Sequence, residues 1–298
     1  MISTKPPPDI ARTLAEHISV KPISPDTFQA RFNPERQGNT ASYSYGGCAL
    51  GVGVQAACQT VPEGYTLYSV TGSFLAPVLT DRKVTCSKEK NSLLEYSSPP
   101  DHIYSKPESC LTPQEIGHRM VQQGIISDES LSLYNTYFGL MARFFETRQA
   151  PEGISAHNLN GMAKDQPQPP HQSRLPLTAK TSADWFRCRT PLSTRSDHYA
   201  GLVWKLDAYL TFTPLTHSGM FLDDAAACAT LDFAIRIFCD EFDLCDWMLR
   251  EIKTVAGGGG RTYTESRVWN EEGRLVASMS QQSILRPKGL RKRGEAVL

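Results

Sequence analysis

The amino-acid sequence predicts an α+β protein in which one long helix wrapped by an antiparallel sheet is used twice. Three observations predict it. Residues 247–287 read as three strands joined by glycine-bearing turns, with side chains alternating between faces. Two segments, 45–61 and 196–210, have helical character, and strand-like runs follow each of them. Both halves therefore run strand, helix, strands, a repeat of architecture without matching sequence.

The elements follow in order. Residues 9–19 predict a short leading helix and 27–32 a strand. Small residues dominate YGGCALGVGVQAACQTV at 45–61 and suit a helix packed closely inside a sheet, although Gly47, Gly51 and Gly53 each cost about 1 kcal/mol of intrinsic helicity. Strands are expected at 65–75 and 82–87 and a Ser/Pro/Lys-rich loop at 88–112. Helical spacing returns over 113–148, through Ile116, Met120, Ile125, Leu131 and Leu133, and a Pro/Gln-bearing connector covers 149–177. A strand at 183–189 precedes the second helix, for which Ser196 is the expected N-cap. Its apolar stripe is Tyr199, Leu202, Val203, Leu206 and Tyr209. The strand at 229–238 alternates through Leu231, Phe233, Ile235 and Ile237.

Composition narrows the function. Hydrophobic residues make up 40% and charged residues 21%, which supports a globular core. Lys plus Arg equals Asp plus Glu at 31 each, so bulk charge attracts neither nucleic acid nor anionic membrane. No run reaches the roughly 20 apolar residues of a membrane span. The prolines of MISTKPPPDIARTLAEH stand where a signal peptide needs an apolar stretch. The eight cysteines form no CxxC pair, so no zinc site or other metal site is expected; buried free thiols in a reducing compartment are, with Cys58 and Cys239 in apolar runs. The end GEAVL is not an SKL-type address, so the expected location is the cytoplasm, and RPKGLRKR reads as a solvated basic tail.

One residue breaks the strand pattern. Gln281 shares its strand face with Leu275, Ala277, Met279, Ser283 and Leu285. An amide on a mostly apolar face finds partners or costs about 1–3 kcal/mol, so Gln281 is either a structural link or part of a site.

The segments WKLDAYLTFTPLTH, CATLDFAIRIF and DWMLREIKTVAGGGGRTYTESRVWNEEGRLVASMSQQSILRP resemble the second half of the acyl-CoA thioesterase II (TesB-like) family. The first half is similar through YGGCALGVGVQAA and LYSVTGSFLAPVLTDRKVTC, and FGLMARFFETR, LNGMAK and TSADWFRCR resemble the subgroup found in fungi. The resemblance implies a double hotdog fold and hydrolysis of acyl-CoA thioesters without a cofactor. It divides the chain into an N-terminal hotdog at 1–110, a helical linker and connector at 111–177, a C-terminal hotdog with the catalytic residues at 178–287 and a basic tail at 288–298. Carried over residue by residue, the catalytic Asp, hydroxyl and amide are Asp207 in KLDAYL, Thr230 in CATLDF and Gln281 in MSQQS. Related enzymes are often peroxisomal. The chain departs from the family after RKVTC: CSKEKN runs straight into SLLEYSSPP, and the first hotdog lacks about two strands of roughly 5–6 residues each plus turns. A partner chain covering the gap, which would make a homo-oligomer, a misfolded first half or an altered splice product would each account for this.

The chemistry expected is water attack on a thioester carbonyl. No GxSxG elbow occurs, which disfavours a serine nucleophile. Asp207 is the expected general base, with Thr230 and Gln281 orienting the water. Asp207 stands four residues after Val203, at the edge of the buried helix face, so its proton affinity should rise. Gly46 and Gly47 offer backbone N–H groups for the oxyanion, or else serve close packing. Arg261, beyond the GGGG turn at 257–260, is a candidate for a CoA phosphate. His217 reads as a loop histidine with a structural bond, and Asp223 and Asp224 as capping residues rather than metal ligands. A non-catalytic acyl-CoA-binding or interaction protein is the alternative; a hotdog dehydratase would need a His–Asp motif that the sequence does not present.

Overall fold

The computed structural model describes residues 10–24, 27–39, 41–61, 67, 69–74, 78–81, 83, 98–239 and 241–288. The chain begins with helix α1 (Leu14–Ile18), the hairpin β1 (Val20–Ser24) and β2 (Thr27–Ala30), helix α2 (Gly46–Gln59) and strand β3 (Ser69–Ser73). Helices α3 (Pro113–Gln122) and α4 (Asp128–Phe144), strand β4 (Phe145–Gln149) and helix α5 (Ile154–Asn158) form the middle. Strand β5 (Ser182–Cys188), helices α6 (Arg195–Leu206) and α7 (Thr213–His217), and strands β6 (Ala225–Ile237), β7 (Met248–Gly258), β8 (Arg261–Asn270) and β9 (Leu275–Pro287) complete it. Among the described residues seven strands make one antiparallel sheet in the order β3-β6-β9-β8-β7-β5-β4, and β1 and β2 pair separately.

Helix α6 lies against the five strands β6, β9, β8, β7 and β5. Its Tyr199, Leu202, Val203, Trp204 and Leu206 share one core with Ile235, Met279, Val268, Ile252 and Phe186 from those strands. That is the helix-in-sheet unit expected of the second half. The expectation of missing first-half strands falls on residues 84–97, outside the described residues, as does most of the strand expected at 82–87.

Helices α2 and α6 pack on each other. Gly47, Gly51 and Gln55, spaced by four on one face of α2, meet Trp204, Ala200 and Asp197 of α6 in reverse order, so the helices run antiparallel. A Cβ on Gly47 would sit 2.5 Å from the Trp204 carbonyl oxygen, and one on Gly51 3.2 Å from that of Ala200. The small residues thus serve helix-on-helix contact, where the sequence suggested helix on sheet. The antiparallel arrangement sets the start of α2 beside the end of α6.

Several local expectations are corrected. Thr194 rather than Ser196 caps α6, through a reciprocal pair with Asp197: the Asp197 N–H donates to Thr194 Oγ1 at 3.2 Å and the Thr194 N–H to Asp197 Oδ2 at 3.1 Å. The helix ends at Leu206, before Tyr209, whose φ of 76° is left-handed. Residues 145–148 leave the helical pattern and, with Gln149, form edge strand β4 on β5. Cys58 is only partly buried.

Candidate active site

Three side chains from three elements meet at the end of α6. Asp207 is its C-cap residue and is 6% exposed. Gln281 is on the inner face of β9 with Ala277, Met279 and Ser283, as the alternation predicts, whereas Leu275, beyond the register shift between Val268 and Trp269, packs with Trp269 on the other face and Val276 takes the inward position. Its Nε2 donates to Asp207 Oδ1 at 2.6 Å and to Thr230 Oγ1 at 2.9 Å. The amide nitrogen found on the apolar face therefore has its partners, and they are the two residues the family resemblance singled out.

Thr230 arrives there by a bulge. Phe233 pairs with Gln281 and Thr230 with Ser283, so both lie on the inner face, three positions apart. Strict alternation would forbid this; the register shift between Thr230 and Asp232 absorbs the extra residue and re-aims the hydroxyl. The inward position that period-two reading assigns to the Leu231 phase passes to Thr230.

The first half supplies the other wall. The Gly47 N–H hydrogen-bonds the Asp207 carboxylate, and a Cβ on Gly46 would lie 2.7 Å from Asp207 Oδ2 and 3.2 Å from Phe74 Cζ. Only glycine lets the start of α2 approach this closely. Burial pushes Asp207 up to about 6, against the lowering pull of the Gln281 and Gly47 hydrogen bonds. Carbonyls at and just beyond the end of α6 are held too. Tyr45 Oη donates to the Trp204 carbonyl at 2.6 Å, and Arg250 Nη1 donates to those of Lys205 at 3.3 Å and Ala208 at 2.9 Å.

Other candidates stand apart. Arg261 pairs with Ile284 and Gln281 with Thr264, so Arg261 belongs to the opposite face of the sheet, and it is exposed. His217 is the last residue of α7 rather than a loop residue; it is fully buried, with Nε2 2.9 Å from Ser182 Oγ, which is the structural bond expected of it. Asp224 accepts the Phe221 N–H at 3.0 Å as a cap, and Asp223 and Asp224 share Lys164. Among the described residues no group of three or more His, Cys, Asp or Glu is placed to hold a metal.

Sequence reasoning missed three features. Thr211, in the 3-10 turn Leu210–Phe212, donates to Gln281 Oε1 at 3.2 Å and lies 3.4 Å from Thr230 Oγ1. A buried ion cluster joins Asp184 to Arg250 through two hydrogen bonds of 2.8 and 2.7 Å and to Lys205 at 3.2 Å. Burial and the neighbouring Arg250 push Lys205 down to about 7. Finally, Cys48 Sγ stands 3.2 Å from His17 Nε2, and His17 Nδ1 3.5 Å from Glu35 Oε1. That line has the connectivity of a thiol nucleophile, yet burial pushes Cys48 up to about 12 and His17 down to about 4, so both are neutral and enclosed.

The family model described as the acyl-CoA thioesterase C-terminal domain matches residues 142–285, and that of the N-terminal domain matches residues 33–90. The chain belongs to the acyl-CoA thioesterase family. It is 24% identical over 265 residues to acyl-CoA thioesterase 2 of Haemophilus influenzae, covering 81% of this chain and 87% of that protein. Its fold matches the acyl-CoA thioesterase II TesB2 of Mycobacterium marinum (TM-score 0.59, 18% identity, 92% of this chain and 98% of that one). It also matches the tesB protein of Mycobacterium avium subs paratuberculosis (TM-score 0.63, 13% identity, 92% and 98%). A hot dog fold protein from Alicyclobacillus acidocaldarius aligns over 93% of this chain and 98% of its own (TM-score 0.58, 11% identity). The thioesterase-family chain is accordingly a thioester hydrolase built as a double hotdog.

Proposed function

We propose that this thioesterase hydrolyses fatty or specialised-metabolite acyl-CoA thioesters to free acid and CoA through one water held by Asp207, Thr230 and Gln281. The observation that carries the reading is a buried carboxylate whose Oδ1 takes the Gln281 amide at 2.6 Å while the same amide reaches Thr230 at 2.9 Å. Asp207 accepts a proton as the water oxygen bonds to the thioester carbon. The tetrahedral intermediate then expels the thiolate, which takes that proton back from Asp207 and leaves as CoA. Gly47 spends its N–H on Asp207, which leaves the Gly46 N–H at the start of α2 as the oxyanion donor. The catalytic half is residues 178–287, the cytoplasm is the proposed location, and a homo-oligomer is the proposed assembly.

The test is thiol release from a series of acyl-CoA thioesters by the purified protein. Asp207→Asn should lower kcat by about 10²- to 10⁴-fold with the fold retained. In the unaltered protein kcat should rise with pH and reach half its plateau near the Asp207 value of about 6, because the base acts only when deprotonated. Full turnover by the Asn variant, or acyl-CoA binding with no turnover by the unaltered protein, refutes the reading.

A further inference from the structure

We infer that Thr211 is a positioning residue for this reaction, holding the oxygen end of the Gln281 amide so that its nitrogen end serves Asp207 and Thr230. The inference rests on the hydrolytic reading above. Gln281 commits both N–H groups of Nε2, one to Asp207 and one to Thr230. Its orientation about the terminal torsion is then set by what Oε1 meets, and Oε1 receives the Thr211 hydroxyl at 3.2 Å. Thr211 also stands 3.4 Å from Thr230 Oγ1, so the three side chains close a ring. A hydrogen bond donated to an amide oxygen polarises the group and strengthens the donors on its nitrogen. Thr211 thereby reaches the carboxylate through Gln281 without touching it.

The turn that carries Thr211 is held independently of the ring. Tyr209 takes a left-handed φ of 76°, and the Phe212 and Thr213 N–H groups return to the Tyr209 carbonyl at 3.2 and 3.0 Å. Leu210 is fully buried, whereas Thr211 is half-buried. A Thr211→Val change keeps the shape and removes the hydroxyl, while the turn keeps its own bonds.

The effect is legible in a pH profile. The groups that face Asp207 are the Gln281 amide from β9 and, from the start of α2, the Gly47 N–H, Tyr45 and Cys48. Burial first, then the Asp207 charge, raises Tyr45 well above its usual value, and burial pushes Cys48 up to about 12, so neither titrates near Asp207. From β7, Arg250 binds the carbonyls on either side of Asp207 and stays charged; Lys205, two residues earlier, turns to Asp184. Losing the Thr211 donor weakens the amide's hold on the charged carboxylate, and the acid limb of kcat moves to higher pH.

The experiment compares the unaltered protein with Thr211→Val, Thr211→Ser and Asp207→Asn. CoA release is followed from the best substrate among saturated octanoyl- to palmitoyl-CoA. Thr211→Val should lower kcat about three- to tenfold, the worth of one net hydrogen bond, with KM within about twofold. Its acid limb should rise by several tenths of a pH unit, and Thr211→Ser should restore both. Unaltered kcat and acid limb in Thr211→Val overturn the inference, as does a lower kcat with an unmoved limb that Ser does not rescue. If Thr211→Val does not fold by circular dichroism, Thr211→Ala takes its place with the same readings. Retained turnover in Asp207→Asn overturns the parent reading instead, so the two failures are separate.

Discussion

Asp207 is the residue at which function opposes stability. Its carboxyl is enclosed, and burial raises it from 3.8 to about 6. Between those values the folded state binds a proton that the unfolded chain has released, so this group's contribution to stability is full below about pH 4 and is lost as pH rises through about 6. A shift of that size is worth about 3 kcal/mol at most. Asparagine does not titrate, so the stability of Asp207→Asn relative to the unaltered protein should improve by up to about 3 kcal/mol between about pH 4 and about pH 7. Urea unfolding at the two pH values measures it; a difference that stays flat or moves the other way refutes the assignment of the raised value. Among the site residues, Gln281 was legible in the sequence because β9 keeps period two from Ala277 to Ser283. Thr230 was not legible by pattern, since its inward aim depends on a bulge, and its identity came from family resemblance. Thr211 was invisible because it follows a left-handed residue in a turn, where no period runs.

Helix α2 and helix α6 meet through glycine, and that contact decides where the carboxylate sits. A methyl group at residue 47 would stand 2.5 Å from the Trp204 carbonyl and 2.3 Å from Tyr45 Cε1. Gly47→Ala should therefore destabilise the protein by about 1–3 kcal/mol through overpacking. Because the displaced N–H serves Asp207, it should also lower kcat. Gly139 gives the control: it is exposed in the interior of α4, with nothing within 4 Å of an added Cβ. Gly139→Ala should stabilise by about 0.5–1 kcal/mol and leave turnover unchanged. Equal effects of the two changes in denaturant unfolding would contradict the helix-contact account. At this scale the sequence showed that residues 45–61 are a helix of small residues, yet not that another helix was the neighbour, because a stripe of glycines fits either surface. The three closing strands were legible for the opposite reason: long alternating runs admit one reading. Residues 145–148 escaped because FFETR continues an apolar helical spacing, and the segment becomes strand only by pairing with β5.

The molecule as a whole is tied across its two halves at the site itself. Strand β3 from the first half pairs with β6, adding a strand to the sheet that carries Thr230 and Gln281. Gln55 of α2 donates to Asp197 Oδ1 at 2.8 Å, and Tyr45 packs edge-on against Trp204 with ring centres 4.9 Å apart. The segment after residue 98 crosses the outer face of the sheet, where Tyr104 Oη donates to Glu251 Oε2 at 2.7 Å and Trp269 Nε1 to the Ser98 carbonyl at 2.8 Å. Polar and apolar ties of this kind link unfolding of one half to exposure of the other, so the halves should unfold together. The four tryptophans, Trp185, Trp204, Trp247 and Trp269, all belong to the second half, whereas backbone circular dichroism reports on both. Urea midpoints from the two signals should coincide, and Gly47→Ala should move both by the same amount. A first-half transition that precedes the tryptophan signal would show that α2 can leave α6 while the second hotdog stands. In that event Asp207 would lose its Gly47 partner before the sheet is disturbed, and activity would fall with the earlier transition.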